Sequence, residues 1–131
     1  MIVDTSAVIA ILFLEPETRR FNNLIAKAAD CRISAANYLE AAIVLDAARN
    51  PVVSRKLDEL IRNAGISIEP VTAAHAKIAR EAYRDFGKGS SHPAKLNFGD
   101  CFAYALAKET DEPLLFKGND FSQTDIASPL D

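Results

Sequence analysis

The opening segment MIVDTSAVIAILFL is apolar or small throughout, except for Asp4. An ionised carboxylate is costly to bury unless hydrogen bonds or a cation compensate it. A strand end that runs at once into a helix gives Asp4 little route to water. The compensation must come from elsewhere in the chain or from a bound ion, and that demand limits the folds available.

The rest of the chain alternates strand and helix signals. Residues 1–4 read as a short buried strand, and Thr5 or Ser6 can cap a helix running to about Leu14. Glu15-Pro16-Glu17 breaks it, and ETRRFNNLIAKAAD restarts with Phe21, Leu24, Ile25 and Ala28 on one face. CRIS reads as a second strand, after which Ser34 caps AANYLEAAIVLDAAR. Pro51 suits the first position of PVVSRKLDELIRNAG, which Gly65 stops. ISIEPV alternates like a strand, and Thr72 opens a long helix ending at Gly87. KGSSHPAKLN is a loop, FGDCFAYALAKET an apolar helix and PLLFK a buried strand. GNDFSQTDI is turn-rich and precedes an expected last short strand. Strands alternating with helices predict an α/β domain over residues 1–131, its central parallel sheet flanked by helices. Ligands in such folds bind outside the carboxyl ends of the strands. Asp4 sits at one of them.

At 131 residues the chain can bury roughly two-thirds of its unfolded surface. Its apolar segment Thr5–Leu14 falls short of the about 20 residues a bilayer span needs. It also lacks a basic leader, so the expectation is a cytoplasmic protein with no membrane partner. Cys31 and Cys101 form no CxxC pair and read as reduced core thiols. A net charge of -3 argues against a generic nucleic-acid binder. Residues 77–95 nevertheless carry five basic side chains (Lys77, Arg80, Arg84, Lys88, Lys95) against Glu81 and Asp85, with His92 beside them. Such a strip can hold a phosphate backbone, or it can be a solvated helix face with i,i+4 pairs such as Lys77–Glu81.

Three other acids share the odd setting of Asp4. Glu40 lies in a helix almost free of charge until Asp46, Asp100 heads the apolar segment FGDCFAYALA, and Asp120 follows the buried strand PLLFK. Each has a plain alternative: an acid favoured by a helix N-terminus for Asp100, a turn residue for Asp120, a solvent-facing side chain for Glu40. Together they recur at strand ends and helix starts that can converge on one sheet edge. Two unit charges about 4 Å apart repel by about 4 kcal/mol at an effective dielectric of 20, so protons or a hard cation must neutralise the cluster. Oxygen donors alone favour magnesium or manganese, and His75 and His92 lie outside these segments, which argues against zinc.

IVDTSAVIAIL, SAANYLEA, LNFGDCFAYALA and LLFKGNDFSQTDI, in that order and spacing, resemble the PIN-domain ribonucleases, and more narrowly the VapC toxins of bacterial toxin–antitoxin pairs. The resemblance covers essentially the whole chain. It implies that Asp4, Glu40, Asp100 and Asp120 are the acidic quartet holding Mg2+ or Mn2+, with Asp4, Asp100 and Asp120 the direct ligands. Glu40 would act through a water or as a base. Thr5 or Ser6 would orient the carboxylates. Asp125, in QTDI, matches a further acidic position of the family.

The resemblance also implies metal-dependent hydrolysis of RNA phosphodiester bonds, leaving a 5'-phosphate on one product. Lys88, His92 and Lys95 would position the RNA backbone. The family implies a homodimer and a cognate VapB-type antitoxin that blocks the acidic pocket. Two other readings stand beside this one. A catalytically silent PIN-like binding module would be expected to lack one of the four acids, and none is lacking. A receiver-like phospho-acceptor domain would use Lys117, but needs adjacent acids after the first strand and an aspartate where ISIEPV offers only Glu69.

Overall fold

The computed structural model describes residues 1–130. Four strands, β1 (Ile2–Val3), β2 (Cys31–Ser34), β3 (Ile66–Glu69) and β4 (Leu114–Leu115), form one parallel sheet in the order β3-β2-β1-β4. Successive side chains on a strand point to opposite faces. Val3 and Leu115 accordingly join one apolar cluster, and Ile2 and Leu114 join the other. The first cluster is covered by helices α1 (Thr5–Leu12), α2 (Thr18–Lys27), α3 (Ala35–Ala47) and α4 (Pro51–Asn63). The second is covered by α5 (Ala73–Phe86) and α6 (Phe98–Thr110). This is the expected α/β architecture with both sheet faces buried.

The strand order steps one way from β1 to β2 to β3, then returns to the other side of β1 for β4. The sheet therefore changes direction between β1 and β4, where open parallel sheets form a ligand crevice at the carboxyl ends. The backbone of Asp4 closes that junction by donating to the Leu115 carbonyl at 2.9 Å. No helix among the described residues is long and apolar enough to cross a membrane. Cys31 and Cys101 are free and buried, as expected.

Several boundaries match their local chemistry. Ser34 caps α3, Asn50 caps α4 with Pro51 in its first turn, and Thr72 caps α5. Gly65 turns the chain into β3 at φ +64, a conformation that disfavours side chains with a Cβ. Other expectations need correction. Neither Thr5 nor Ser6 caps α1: Asp4 does so itself, accepting from the Ser6 N–H, and the helix stops at Leu12 with Leu14 left-handed at φ 54. The loop after α5 contains a short 3-10 turn, Lys88–Ser90, and a bridge between Gly87 and Leu96. The expected last strand does not form. Pro129 lacks a donor N–H and the Leu130 N–H turns back onto Ser128 Oγ at 3.1 Å, so the tail bends. It still covers the β4 edge through one bond, Leu114 N–H to the Ala127 carbonyl at 3.0 Å.

Candidate metal centre

Asp4 is the acid that the fold treats most severely. It is 3% exposed at the carboxyl end of β1. Its Oδ2 accepts from the Ser6 backbone at 3.0 Å and from Ser6 Oγ at 2.6 Å. Ser6 Oγ in turn accepts from the Lys117 N–H just beyond β4 at 3.0 Å, so its own proton must go to Asp4. One hydroxyl thus ties the ends of β1 and its neighbour β4 to one carboxylate. The other oxygen, Oδ1, is buried with no partner among the described residues. Burial pushes the Asp4 carboxyl up to about 7 against the lowering bonds from Ser6, and the charges of Asp100 and Glu40 add to the rise. A buried acceptor that the protein leaves bare calls for a partner from outside the chain, and beside other carboxylates a cation suits it.

Asp100 stands at the third position of α6 in a capping box. Its Oδ2 accepts from Asn97 N–H, and its own N–H donates to Asn97 Oδ1, both at 2.9 Å. The helix-start role and the site role are therefore held together. Its carboxyl is pushed up to about 6, chiefly by burial, with Asp120 and Glu40 contributing and Lys88 opposing. These couplings bring all four sequence-predicted acids into one electrostatic neighbourhood.

Glu40 reaches it from α3. Its carboxylate lies over Gly99, where a Cβ would meet Glu40 Cδ at 2.8 Å. Glycine at 99 thus makes room for the acid beside Asp100. Asp120 is exposed just beyond the β4 end, after the left-handed Gly118 at φ +101. Neither Glu40 nor Asp120 has a side-chain hydrogen bond among the described residues, so both carboxylates can reorient. As they stand, no three His, Cys, Asp or Glu side chains among the described residues are close enough to share one ion. Asp4 and Asp100 are held by hydrogen bonds, whereas the Glu40 and Asp120 carboxylates are held by none among the described residues.

Asp125 is differently employed. It accepts from Tyr104 Oη at 2.8 Å and from Lys108 Nζ at 2.6 Å. Burial works to raise its carboxyl, but those two bonds outweigh it and hold the group below the ordinary range. It fastens the tail to α6. Lys117 pairs with Glu15 at 2.5 Å and Glu17 at 3.3 Å, which occupies the lysine that a receiver-like site would need. In the basic strip, Lys88 and Lys95 are exposed. The half-buried His92 accepts from Ala94 N–H through Nδ1 and packs edge-on against Phe86 at 5.0 Å. The expected Lys77–Glu81 pair is not among the ion pairs of the described residues, and Arg84 pairs with Asp85 instead.

A buried node joins three of these elements. Asn37 is fully buried in α3, and its Nδ2 donates to Thr5 Oγ1 at 3.2 Å and to the Gly99 carbonyl at 2.9 Å. Thr5 Oγ1 returns a bond to the Asn37 carbonyl at 3.2 Å. Thr5 adjoins Asp4 and Gly99 adjoins Asp100. Sequence reading passed over Asn37, although a signal was present. Asn37, Ala41 and Leu45 recur at the spacing of one helix face, so the stripe that must be buried begins with an amide.

The sequence profile of the PIN domain matches residues 1–127. Ribonuclease VapC28 of Mycobacterium tuberculosis is 57% identical over 131 residues, covering 100% of this chain and 98% of the relative. Among solved structures, M. tuberculosis VapC20, described as a sarcin-ricin loop cleaving toxin, superposes with a TM-score of 0.74 at 17% identity, covering 96% of this chain and 95% of that one. A toxin–antitoxin complex from Klebsiella pneumoniae gives a TM-score of 0.68 at 16% identity, over 92% of this chain and 89% of that one. At such identities the two structures speak for the fold, while the profile and the full-length relative speak for descent. The chain belongs to the PIN-domain family, among the VapC ribonucleases.

Proposed function

We propose that this chain is a VapC-type endoribonuclease that hydrolyses RNA phosphodiester bonds with Mg2+ or Mn2+, acting as one domain over residues 1–131. The observation that carries this reading is the bare, buried Oδ1 of Asp4 at the β1–β4 crevice, within electrostatic reach of Asp100 and Glu40. The donor set fits a hard divalent cation: it offers carboxylate oxygens only, and the two anchored acids are held with raised carboxyl pKa values that a cation would relieve. Asp4, Asp100 and Asp120 would hold it. A cation bound there would acidify an attacking water and offset charge on the scissile phosphate.

The remaining work falls to the chain. Ser6 keeps one oxygen of Asp4 turned toward α1, leaving the other for the site. Glu40, free of hydrogen bonds, is suited to orient a water or take its proton. Lys88, close enough to Asp100 to favour its ionisation, and Lys95 would hold the RNA backbone next to the acids. His92 can contribute only Nε2, because Nδ1 is spent on the loop.

Two partners follow from the same reading. The family likeness supports a VapB-type antitoxin that covers the acidic crevice. A second copy of the chain would cover the exposed apolar side chains Leu39, Ile43 and Val44 of α3 and Phe98 of α6. The protein would act in the cytoplasm, where its substrate is made.

The test is cleavage of total RNA by purified protein in Mn2+ and in chelator, with 5' ends mapped by sequencing. Discrete new 5'-phosphate ends in Mn2+, lost in chelator and in Asp100→Asn, are expected. RNA left intact by folded protein in Mn2+ would instead favour a binding-only module.

A further inference from the structure

Resting on the metal-site reading above, we propose that Asn37 is the positioning residue that sets the spacing of Asp4, Glu40 and Asp100, and thereby the affinity of the site for a divalent cation. Three acids arrive from three elements, the β1–α1 junction, α3 and α6, and each neighbours one member of the same buried network. Asp4 precedes Thr5, Asp100 follows Gly99, and Glu40 lies one turn beyond Asn37 on α3. Asn37 is the member that bonds both others, across 32 residues to Thr5 and 62 residues to Gly99. The Gly99 carbonyl only accepts, so it fixes which way the amide faces. Gly99 is also the surface against which the Glu40 carboxylate rests. A shift of α6 against α3 would therefore move Asp100 and the floor under Glu40 together.

The chemistry of position 37 is not that of a packing residue. The orientation forced by Gly99 leaves Asn37 Oδ1 buried without a partner among the described residues. A leucine would fill similar space without a bare Oδ1, but would withdraw the donor from the Gly99 carbonyl and Thr5 Oγ1. The amide gives what leucine cannot, directional bonds that hold three elements at fixed separation. Glu40 and Asp120 can reorient to meet an ion, so the fixed distance between Asp4 and Asp100 decides whether they can close on it.

The test compares wild type with Asn37→Leu and with Thr5→Val, which cuts the same link from α1. Free Mn2+ is followed by electron paramagnetic resonance at 10 °C, and the Mn2+ dependence of RNA cleavage is measured alongside. Melting curves establish that each variant is folded at that temperature. Mn2+ affinity is expected to fall at least tenfold in Asn37→Leu and measurably in Thr5→Val. The cleavage curves should move to higher Mn2+ in the same proportion, and cleavage should largely return at saturation. Lower melting temperatures with wild-type Mn2+ affinity would make Asn37 a structural residue and overturn the proposal. If Asn37→Leu does not fold, unchanged affinity in Thr5→Val overturns it equally. Failure of the wild type itself to bind Mn2+ would remove the metal-site reading, and this proposal with it.

Discussion

Replacing Asp4 by asparagine should stabilise the metal-free protein at pH 8 and have almost no effect at pH 5. The Asp4 carboxyl is raised from 3.8 to about 7 by burial and by its acidic neighbours. A folded pKa above the unfolded one means that the native state binds the extra proton. Stability is then greatest below the unfolded value, declines as pH rises toward about 7, and levels off above it. At about 1.4 kcal/mol per pKa unit, ionised Asp4 weakens the fold by roughly 4 kcal/mol at pH 8. Asparagine reproduces the shape of the protonated acid, and its oxygen can keep both bonds from Ser6. It adds a buried N–H2 and lacks the acid O–H, a cost of about 1–2 kcal/mol. The expected net gain is about 2–3 kcal/mol at pH 8. By pH 5 most of that gain is gone, because wild-type Asp4 is protonated in the fold. Urea unfolding with chelator present at both pH values measures the difference, with RNA cleavage followed in parallel and expected to fall by orders of magnitude. A clear loss of stability at pH 8, or a gain of equal size at both pH values, would refute the reasoning.

Mn2+ at millimolar concentration should raise the melting temperature at pH 8 and less so at pH 5, where protons compete for Asp4 and Asp100; equal shifts would point to binding elsewhere. Gly99→Ala should leave stability within about 1 kcal/mol, since alanine suits a helix and only the mobile end of Glu40 must move, while cleavage drops sharply. Lys88→Ala combined with Lys95→Ala should weaken RNA binding and flatten its salt dependence by about two counterions without changing the melting temperature, and an unchanged slope would make the strip mere surface. Ile43→Asp, which puts a charge on the exposed α3 face, should yield a monomer in sedimentation equilibrium, whereas a monomeric wild type would exclude that face as a dimer contact.

The elements most legible in the sequence are those whose ends carry their own punctuation. CRIS stops at a serine that caps the next helix, and FGDCFAYALAKET begins after an asparagine and matches α6 residue for residue. Asp4 and Asp100 stand out for a different reason, as charges in segments otherwise unable to hold one, which does not describe the exposed Asp120. The tail was misread because a short apolar stretch reads as a strand whether or not a neighbour is free to pair with it, and Pro129 decides the matter locally. The capping role of Asp4 is hidden in the sequence because Thr5 and Ser6, themselves good caps, follow it at once. Asn37 was missed because its meaning lies in partners far away along the chain. Periodicity indicates which face of α3 is buried, but not that a threonine and a glycine carbonyl meet there.

The pairing of β4 with β1 bears on the order in which the molecule assembles. Strands β1, β2 and β3 are complete by Glu69, whereas Val3 finds its partner Leu115 only after nearly all of the chain has been made. Contacts so distant in sequence carry the largest loop-closure entropy and form late. The crevice between β1 and β4 is therefore the last part of the sheet to exist during synthesis. A nascent chain would have its first two acids and a folded α1–α4 layer well before Asp120 reaches Asp100. Slow hydrogen exchange at the Arg32 amide, which reports β1–β2 pairing, alongside faster exchange at Asp4, which bonds Leu115, would be the signature of that order.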